Sequence, residues 1–346
     1  MEANASTDIS LSTLHSVPDA TSLLKALSEN FDLPSICSCH YFASGSADIF
    51  KIDSRDANWY ARINAHGIRS QSQITTESDL VDRWKQSGCP VTAPVRNKQG
   101  DFVQSYEAPE GTRYYALYEE AKGHSLSTPN PNQLRDIGIA LANLHSKADR
   151  FPLSKDLPFY DLDYCISQSL GRISAFLHNR SELREFSLPI QSVGTELKRR
   201  LSKLPLESFS WGLIHGDFIH GNLKHHESSG HTIYDFERIG YGWRAYEIAS
   251  YIGHAVSHRI VRDPRKLFQQ VAECFLEGYE SIRPLQNSEK RSLPDLYLMR
   301  RIWMTSVACS QFANWGSSFL TASKWKKKAR NWKQWEQLYA NSRIFD

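Results

Sequence analysis

The sequence predicts an α+β fold, in which an antiparallel β-sheet near the start is followed by a mainly helical part. Two observations predict it. Short segments rich in β-branched and aromatic residues alternate with turn residues over 38–119, which is typical of a meander of hairpins. From Asn132 onward, apolar residues recur every three or four positions, as at Leu134, Ile137 and Leu141, and this spacing predicts amphipathic helices.

Length and composition are those of an ordinary globular protein. The 346 residues suffice for two domains, and 40% are hydrophobic while 23% are charged. The net charge of +3 is too small to indicate a nucleic-acid partner. No apolar run approaches the roughly 20 residues that span a bilayer, and the start lacks the features of a signal peptide. We therefore expect a cytoplasmic protein that binds neither nucleic acid nor membrane, and the oligomeric state stays open.

Six cysteines are scattered through the chain without a secretion signal, which predicts free thiols. The sequence Cys37-Ser38-Cys39-His40 suggests a metal site as an alternative. No second Cys or His pair follows at zinc-finger spacing, which disfavours that alternative.

The first part of the chain begins with a polar, serine-rich segment over 1–18 that we predict to be a loose tail. A helix is predicted from Asp19 to Leu27, with Asp19 or Thr21 as its N-cap. A second helix is predicted over 69–87, where Gly88 stops it. Strands are predicted over 38–43, 47–52, 59–63, 91–95, 102–105 and 114–119.

The second part is mainly helical. Two short strands, 213–214 and 232–234, are expected to lie side by side, and glycines and aromatic residues over 238–246 predict a compact turn. Helices are predicted over 133–147, 164–179, 192–203, 247–258, 264–281, 288–315 and 323–341.

A candidate site lies around these two strands. His215, Gly216 and Asp217 follow the first strand, Asn222 comes five residues after the aspartate, and Asp235 ends the second strand. If the strands pair, Asp217, Asn222 and Asp235 lie on one rim.

These residue types suit metal-assisted phosphoryl transfer. A hydroxyl that attacks a γ-phosphate needs a carboxylate to orient it and to accept its proton, which is the predicted role of Asp217. Asn222 and Asp235 offer the hard oxygen ligands that Mg²⁺ prefers. The alternative is that His-Gly-Asp is a plain turn and Asp235 a strand-end cap, but both motifs at this spacing favour the site.

His215-Gly216-Asp217, Asn222 and Asp235-Phe236-Glu237 resemble the signature of the aminoglycoside phosphotransferase and choline kinase group of small-molecule kinases. These enzymes share the two-lobed protein-kinase-like fold. The resemblance implies a nucleotide-binding lobe over 19–121 and a catalytic, acceptor-binding lobe over 122–346, with ATP between them and Mg²⁺ as cofactor. It also implies transfer of the γ-phosphate to a hydroxyl of a small molecule.

The resemblance further implies phosphate-binding residues in the first lobe. Ser44-Gly45-Ser46 would be the loop over the phosphates, although it is also a plain turn sequence, and no G-x-G-x-x-G or Walker pattern is present. Arg62 stands where the family has a phosphate-binding lysine, and Glu77 would orient it. The alternatives are a solvated strand arginine and a surface glutamate.

By the same resemblance, backbone groups of Glu119 and Ala121 would bind adenine, although any core strand end looks similar. Trp303, Gln311 and Trp315 are candidate acceptor-lining residues, and a core stripe on a helix is the alternative for each.

The last predicted helix interleaves basic and aromatic residues over 324–335. Binding to nucleic acid or to an anionic membrane is one hypothesis. Trp325, Trp332 and Trp335 recur at helical spacing, which favours a helix docked by its tryptophans with a solvated lysine face.

Two rival functions remain open at this point, a protein Ser/Thr kinase of the same fold and a non-catalytic nucleotide-binding protein. The acceptor is open as well: aminoglycosides or other hydroxylated antibiotics, choline-like amines, hydroxyamino acids and sugars all suit such an enzyme. ATP and GTP are not distinguished.

Overall fold

The structure is a computed structural model that describes residues 11–34, 36–204, 206, 210–226, 230–257, 259, 261–311 and 320–339. The chain divides into two compact units. One contains residues 1–75 and 94–120, and the other contains residues 76–93 and 121–346. That residues 76–93 belong with the second unit was not predicted from the sequence.

The first unit is built on a five-stranded antiparallel sheet with the order β1-β2-β3-β5-β4. Alternation buries one face, as with Trp59, Ala61 and Ile63 on β3. Its strands are β1 (Ile36–Ser44), β2 (Ala47–Ser54), β3 (Asn58–Asn64), β4 (Val103–Ala108) and β5 (Gly111–Glu119).

Helix α1 (Ala20–Asn30) covers the buried face of this sheet. It begins as predicted, because the Asp19 side chain accepts a hydrogen bond of 2.9 Å from the Ser22 N–H. Leu23 and Leu27 then point into the core with Phe50 and Ile52.

The described end of the predicted loose tail is bonded to the sheet. His15 Nε2 lies 3.0 Å from a carboxylate oxygen of Asp48, and the Ser16 N–H donates to Glu110 at 3.1 Å. Arg113, fully buried, donates to Asp48 at 2.7 Å and also to the Ser16 carbonyl. Residues 15 and 16 are therefore held in place, contrary to the prediction of a loose segment.

The predicted strand 91–95 is wrong. The segment makes two isolated bridges, Val91 with Ile233 and Pro94 with Tyr118. Pro94, which lies within the segment, has no N–H to donate and so interrupts a continuous ladder.

The second unit is mainly helical and holds one large core. Helix α2 (Gln71–Gln86) starts in the first unit and contributes its later residues, including the buried Trp84, to this core. The prediction of helix 192–203 was late at its start, and that of 288–315 extended past the observed end at Ser310. The other helices are α3 (Pro131–Ala148), α4 (Gln168–His178), α5 (Ser187–Leu201), α6 (Arg244–Ser257), α7 (Pro264–Glu280), α8 (Asn287–Ser310) and α9 (Ala322–Tyr339).

Short strands in the second unit frame the candidate site. The predicted pairing of 213–214 with 232–234 is wrong, because each strand has another partner. Strand β7 (Trp211–Ile214) pairs antiparallel with β10 (Gly240–Trp243), a segment predicted as a turn, and β6 (Phe159–Tyr160) flanks β10. Strands β8 (Leu223–His226) and β9 (Gly230–Ile233) form a hairpin of their own.

Helix α9 confirms the docking interpretation of its tryptophans. Trp325, Trp332 and Trp335 are buried, and the Trp335 indole N–H donates to the Pro294 carbonyl at 3.0 Å. The exposed side chains of this helix include Lys324, Lys326, Lys327, Arg330 and Lys333.

Across the described ranges, no helix is both long and apolar enough to span a membrane. The cysteines whose side chains are described are all free thiols, as predicted: Cys39, Cys89, Cys165, Cys274 and Cys309.

Candidate active site

His215 joins the two halves of the predicted site. Its Nε2–H donates to the Tyr234 carbonyl at 3.0 Å, and its Nδ1 accepts the Asp217 N–H at 3.2 Å. The ring also packs against Phe236 at 4.3 Å between centroids. Burial lowers the pKa of His215, so the ring is neutral and each nitrogen has one role. The His-Gly-Asp and Asp-Phe-Glu segments are thereby held against each other without the strand pairing that the sequence suggested.

Asn222 adds a second link between the two segments. Its side-chain N–H donates to the Asp217 carbonyl at 2.9 Å and lies 3.4 Å from Asp217 Oδ2. The backbone carbonyl of Asn222 accepts the Tyr234 N–H at 3.1 Å. Asn222 therefore lies beside the residue that precedes Asp235. Because Nδ2 is directed to Asp217, Oδ1 of Asn222 is the atom available to a metal.

Asp235 has an unusual backbone conformation. Its φ is +66°, and among the described residues it is the one non-glycine residue with positive φ. A side chain pays a steric cost there, and such residues cluster at functional sites. The conformation fits a carboxylate that must be aimed at a ligand.

The donor set fits Mg²⁺. One amide oxygen from Asn222 and one carboxylate from Asp235 are hard oxygen ligands, and the remaining positions suit water and phosphate oxygens. Within the described ranges, no three His, Cys, Asp or Glu side chains are grouped so that they could hold a metal.

Asp217 is ionised in this environment. Burial alone would raise its pKa, but the Arg300 guanidinium, and after it that of Arg238, outweighs that effect and holds the pKa of Asp217 below its usual value. Arg300 Nη2 donates to Asp217 Oδ1, and Nη1 donates to the Gly216 carbonyl at 3.3 Å. Arg300 was not among the site residues predicted from the sequence.

Glu247, which the sequence analysis also missed, anchors the loop from below. Its fully buried carboxylate accepts the backbone N–H of His215 at 3.0 Å and that of Gly216 at 2.7 Å. His145 donates to it from Nε2 at 2.9 Å, and the Tyr279 hydroxyl donates to His145 Nδ1 at 2.9 Å. Burial raises the pKa of Glu247 to about 7 and lowers that of His145 well below its usual value.

Gly216 lets the chain turn between these contacts. Its φ is +81°, which disfavours any side chain, and a Cβ there would overlap the Arg238 carbonyl oxygen. The loop that carries Asp217 therefore requires glycine at this position.

In the first unit, the predicted phosphate-binding residues have these positions. Ser44, Gly45 and Ser46 form the turn between β1 and β2, where the Gly45 N–H donates to the Ala47 carbonyl at 3.0 Å. Arg62 is 6% exposed, so the alternative of a solvated arginine is wrong.

Arg62 donates to the Tyr118 hydroxyl at 2.7 Å and lies over that ring. Glu119 is exposed at the end of β5, and Ala121 is the first residue of the next stretch of the second unit. Glu77 is fully buried in α2, so the surface alternative for Glu77 is also wrong. Its pairing with Arg62 stays a prediction.

The predicted acceptor-lining residues do not share one setting. Trp303 is 2% exposed and packs 5.0 Å from Tyr160, which favours the core interpretation. The Arg238 guanidinium lies 5.2 Å from the Trp303 ring. Gln311 caps the end of α8, and Trp315 lies outside the described residues.

Comparisons with known proteins identify the family and the fold of this chain. A family model described as "Phosphotransferase enzyme family" matches residues 39–285. An uncharacterised protein of Synechocystis sp. is 29% identical over 307 residues, which is 88% of this chain and 82% of the relative.

Solved structures share the fold. Amicoumacin kinase hAmiN in complex with AMP-PNP, Ca²⁺ and Ami has a TM-score of 0.75 at 19% identity, over 92% of this chain and 94% of that chain. The microcompartment-associated aminopropanol kinase has a TM-score of 0.72 at 19% identity, over 90% and 95%. The predicted α+β, protein-kinase-like fold is confirmed.

The matched range 39–285 covers well over half of the chain and includes His215, Asp217, Asn222 and Asp235. The chain therefore belongs to the phosphotransferase enzyme family, and it is a phosphotransferase.

Proposed function

We propose that this enzyme transfers the γ-phosphate of ATP to a hydroxyl group of a small molecule, with Asp217 as the base and Mg²⁺ as cofactor. The observation that carries the proposal is the joining of the two motifs by His215 and Asn222, because it brings the base and both metal ligands to one loop system.

Each residue of this loop system has a distinct role in the proposal. Asp217 orients the acceptor hydroxyl and takes its proton, for which its ionised state is required. Asn222 Oδ1 and the Asp235 carboxylate would hold Mg²⁺, which neutralises charge on the transferring phosphoryl group. Glu247 keeps the loop in place through the backbone N–H groups that precede Asp217.

The nucleotide is proposed to use the residues that the family resemblance assigned to it. Arg62 would hold phosphate oxygens, because a guanidinium stays charged and donates bidentately, and Glu77 would orient it. The turn Ser44-Gly45-Ser46 would cover the phosphates. Backbone groups of Glu119 and Ala121 would bind adenine.

For the acceptor we propose a hydroxylated amine, either an antibiotic such as an aminoglycoside or an amino-alcohol or hydroxyamino-acid metabolite. The support is that the chain resembles an amicoumacin kinase and an aminopropanol kinase over more than nine-tenths of their length. A cytoplasmic location, where ATP is abundant, goes with this proposal.

The test is to incubate the protein with Mg-ATP and a panel of hydroxylated amines, and to measure which compound gains one phosphoryl group by mass spectrometry. D217N is expected to lose activity roughly 10²-fold or more, because the base is removed while the shape is kept. D56N, which changes an exposed aspartate of the first unit, is the matched control and should keep wild-type turnover.

Three outcomes would contradict the proposal. Phosphate that appears on a polypeptide and on no small molecule would indicate a protein kinase. ATP binding without transfer to any acceptor would indicate a non-catalytic protein. Unchanged turnover in D217N would show that Asp217 is not the base.

A further inference from the structure

Arg300 contacts the catalytic loop from a distant helix. It lies in the middle of α8 and is 6% exposed. A buried guanidinium stays charged, so it must be paired. Its hydrogen-bond partners include Asp217 Oδ1 and, at 3.3 Å, the carbonyl oxygen of Gly216, the residue just before the base.

These contacts leave few orientations open to the Asp217 side chain. Oδ1 holds a charge-assisted bond from Arg300, and Oδ2 has the Asn222 amide at 3.4 Å. The carboxylate is thus held from both ends. Oδ2, whose amide contact is long and weak, is the oxygen that can still accept a strong hydrogen bond from an acceptor hydroxyl.

The second bond of Arg300 extends its hold to the main chain. The planar guanidinium bridges the Asp217 side chain and the Gly216 carbonyl, a geometry that a single ammonium group cannot reproduce. Arg300 therefore fixes both the Asp217 side chain and the backbone carbonyl of Gly216 to α8.

We propose that Arg300 is a positioning residue for phosphoryl transfer: it holds the Asp217 carboxylate in the orientation that presents Oδ2 to the acceptor hydroxyl. This inference rests on the proposed function, because positioning has meaning only if Asp217 is the base.

Arg238 is the other guanidinium near Asp217, but its contacts are different. It lies 3.5 Å from the Glu237 carboxylate and packs over Trp303. Within the described part of the chain, the hydrogen bond to the Asp217 carboxylate comes from Arg300 and not from Arg238.

The test compares three variants of the full-length enzyme: R300Q, R300K and R301Q. Arg301 is the matched control, because it is the next residue of the same helix and its guanidinium lies over Tyr297. For each variant, kcat, KM for ATP, KM for the acceptor and the fraction of folded protein are measured.

R300Q is expected to lower kcat on the order of 100-fold per folded molecule, with KM for ATP unchanged, since a small misplacement of a reacting group has this effect. R300K should give an intermediate kcat, because its ammonium can hold one of the two oxygens. R301Q should match the wild type. In a D217N background, R300Q should add no further loss, because Arg300 acts through Asp217.

A purely structural role predicts something else. R300Q would then reduce the folded fraction while folded molecules kept the wild-type kcat, and this result would overturn the inference. An equal loss in R301Q would overturn it as well. If R300Q fails to fold, R300K decides: wild-type kcat in R300K refutes positioning by the bridged geometry.

Failure of the proposed function has a separate signature. A wild-type enzyme that transfers phosphate to no acceptor, or a D217N variant with full turnover, would remove the base and with it the role of Arg300. A wild-type enzyme that turns over while R300Q matches R301Q would refute the inference on Arg300 alone.

Discussion

Three glycine-to-alanine substitutions in the second unit separate the effects that fix the catalytic loop. Gly171 lies on α4, has ordinary helical φ, and a Cβ there meets nothing within 4 Å. Gly88 has φ +84° and also open space around a Cβ. Gly216 has φ +81°, and its Cβ would overlap the Arg238 carbonyl oxygen. A side chain is therefore tolerated at Gly171, meets backbone strain alone at Gly88, and meets both backbone strain and steric overlap at Gly216.

The magnitudes follow from these settings. G171A should raise the free energy of unfolding by up to about 1 kcal/mol, because alanine favours the helix. G88A should lower it by about 1–2 kcal/mol, the cost of a side chain in left-handed backbone. G216A adds an overlap that backbone movement of about 1 Å would relieve, and movement of that size next to Asp217 should reduce kcat roughly 10²-fold.

The assay combines urea unfolding with kcat for the acceptor found in the compound panel. G171A and G88A should keep the wild-type kcat, while G216A should lose both stability and turnover. If G216A is no less stable than G88A and turns over at the wild-type rate, the loop does not need glycine at this position and the reasoning fails.

Two further predictions concern buried titratable groups. E247A should lower the free energy of unfolding by roughly 3 kcal/mol and reduce kcat. Three buried donors lose their acceptor, which costs about 1–3 kcal/mol each. The loss is partly offset by about 3 kcal/mol, because the variant no longer buries a carboxyl group whose pKa is raised to about 7. The control E280Q, which disrupts a partly exposed ion pair, should change the free energy of unfolding by less than about 1 kcal/mol. Equal effects of E247A and E280Q would contradict the role of Glu247 in anchoring the loop. Burial lowers the pKa of His231 from 6.5 to about 4, so the folded protein binds the neutral ring better than the charged one. The free energy of unfolding is therefore highest above pH 6.5 and falls by about 3 kcal/mol as the pH drops from 6.5 to about 4. In unfolding measured at pH 7 and pH 4.5, H231Q should lose less stability at the lower pH than the wild type. The control H178Q, on the exposed end of α4, should lose as much as the wild type. An H231Q variant with the same pH dependence as the wild type would refute the assignment.

Local features of the fold could be predicted because their causes are local. The Asp19 cap and the apolar spacing that follows it locate α1, since a capped amphipathic segment needs no distant information to be helical. The run of aromatic and β-branched residues between two groups of turn residues locates β3 in the same way. The candidate base and metal ligands, Asp217, Asn222 and Asp235, lie within one stretch of the chain and could be found from their spacing.

Strand pairing was not predictable from the same patterns. The strand before His215 was expected to pair with the strand before Asp235, but it pairs with Gly240–Trp243. Period-two alternation shows which face of a strand is buried but carries no information on its neighbour. The two motifs still meet, because His215 bonds to Tyr234 and so replaces the pairing that the sequence suggested.

The residues that hold the site were missed for a related reason. Arg300 is 83 residues from Asp217, and Glu247 is 31 residues from Gly216. Each stands in an apolar helix stripe, where a charge is either at the solvent edge or buried with a partner. That rule predicts the sign of the partner's charge but not which residue the partner is, because an arginine in such a stripe can pair with any buried carboxylate. Candidate residues for the chemistry can thus be proposed from one short stretch of sequence, whereas the groups that hold them in place become identifiable only when distant elements are seen packed together.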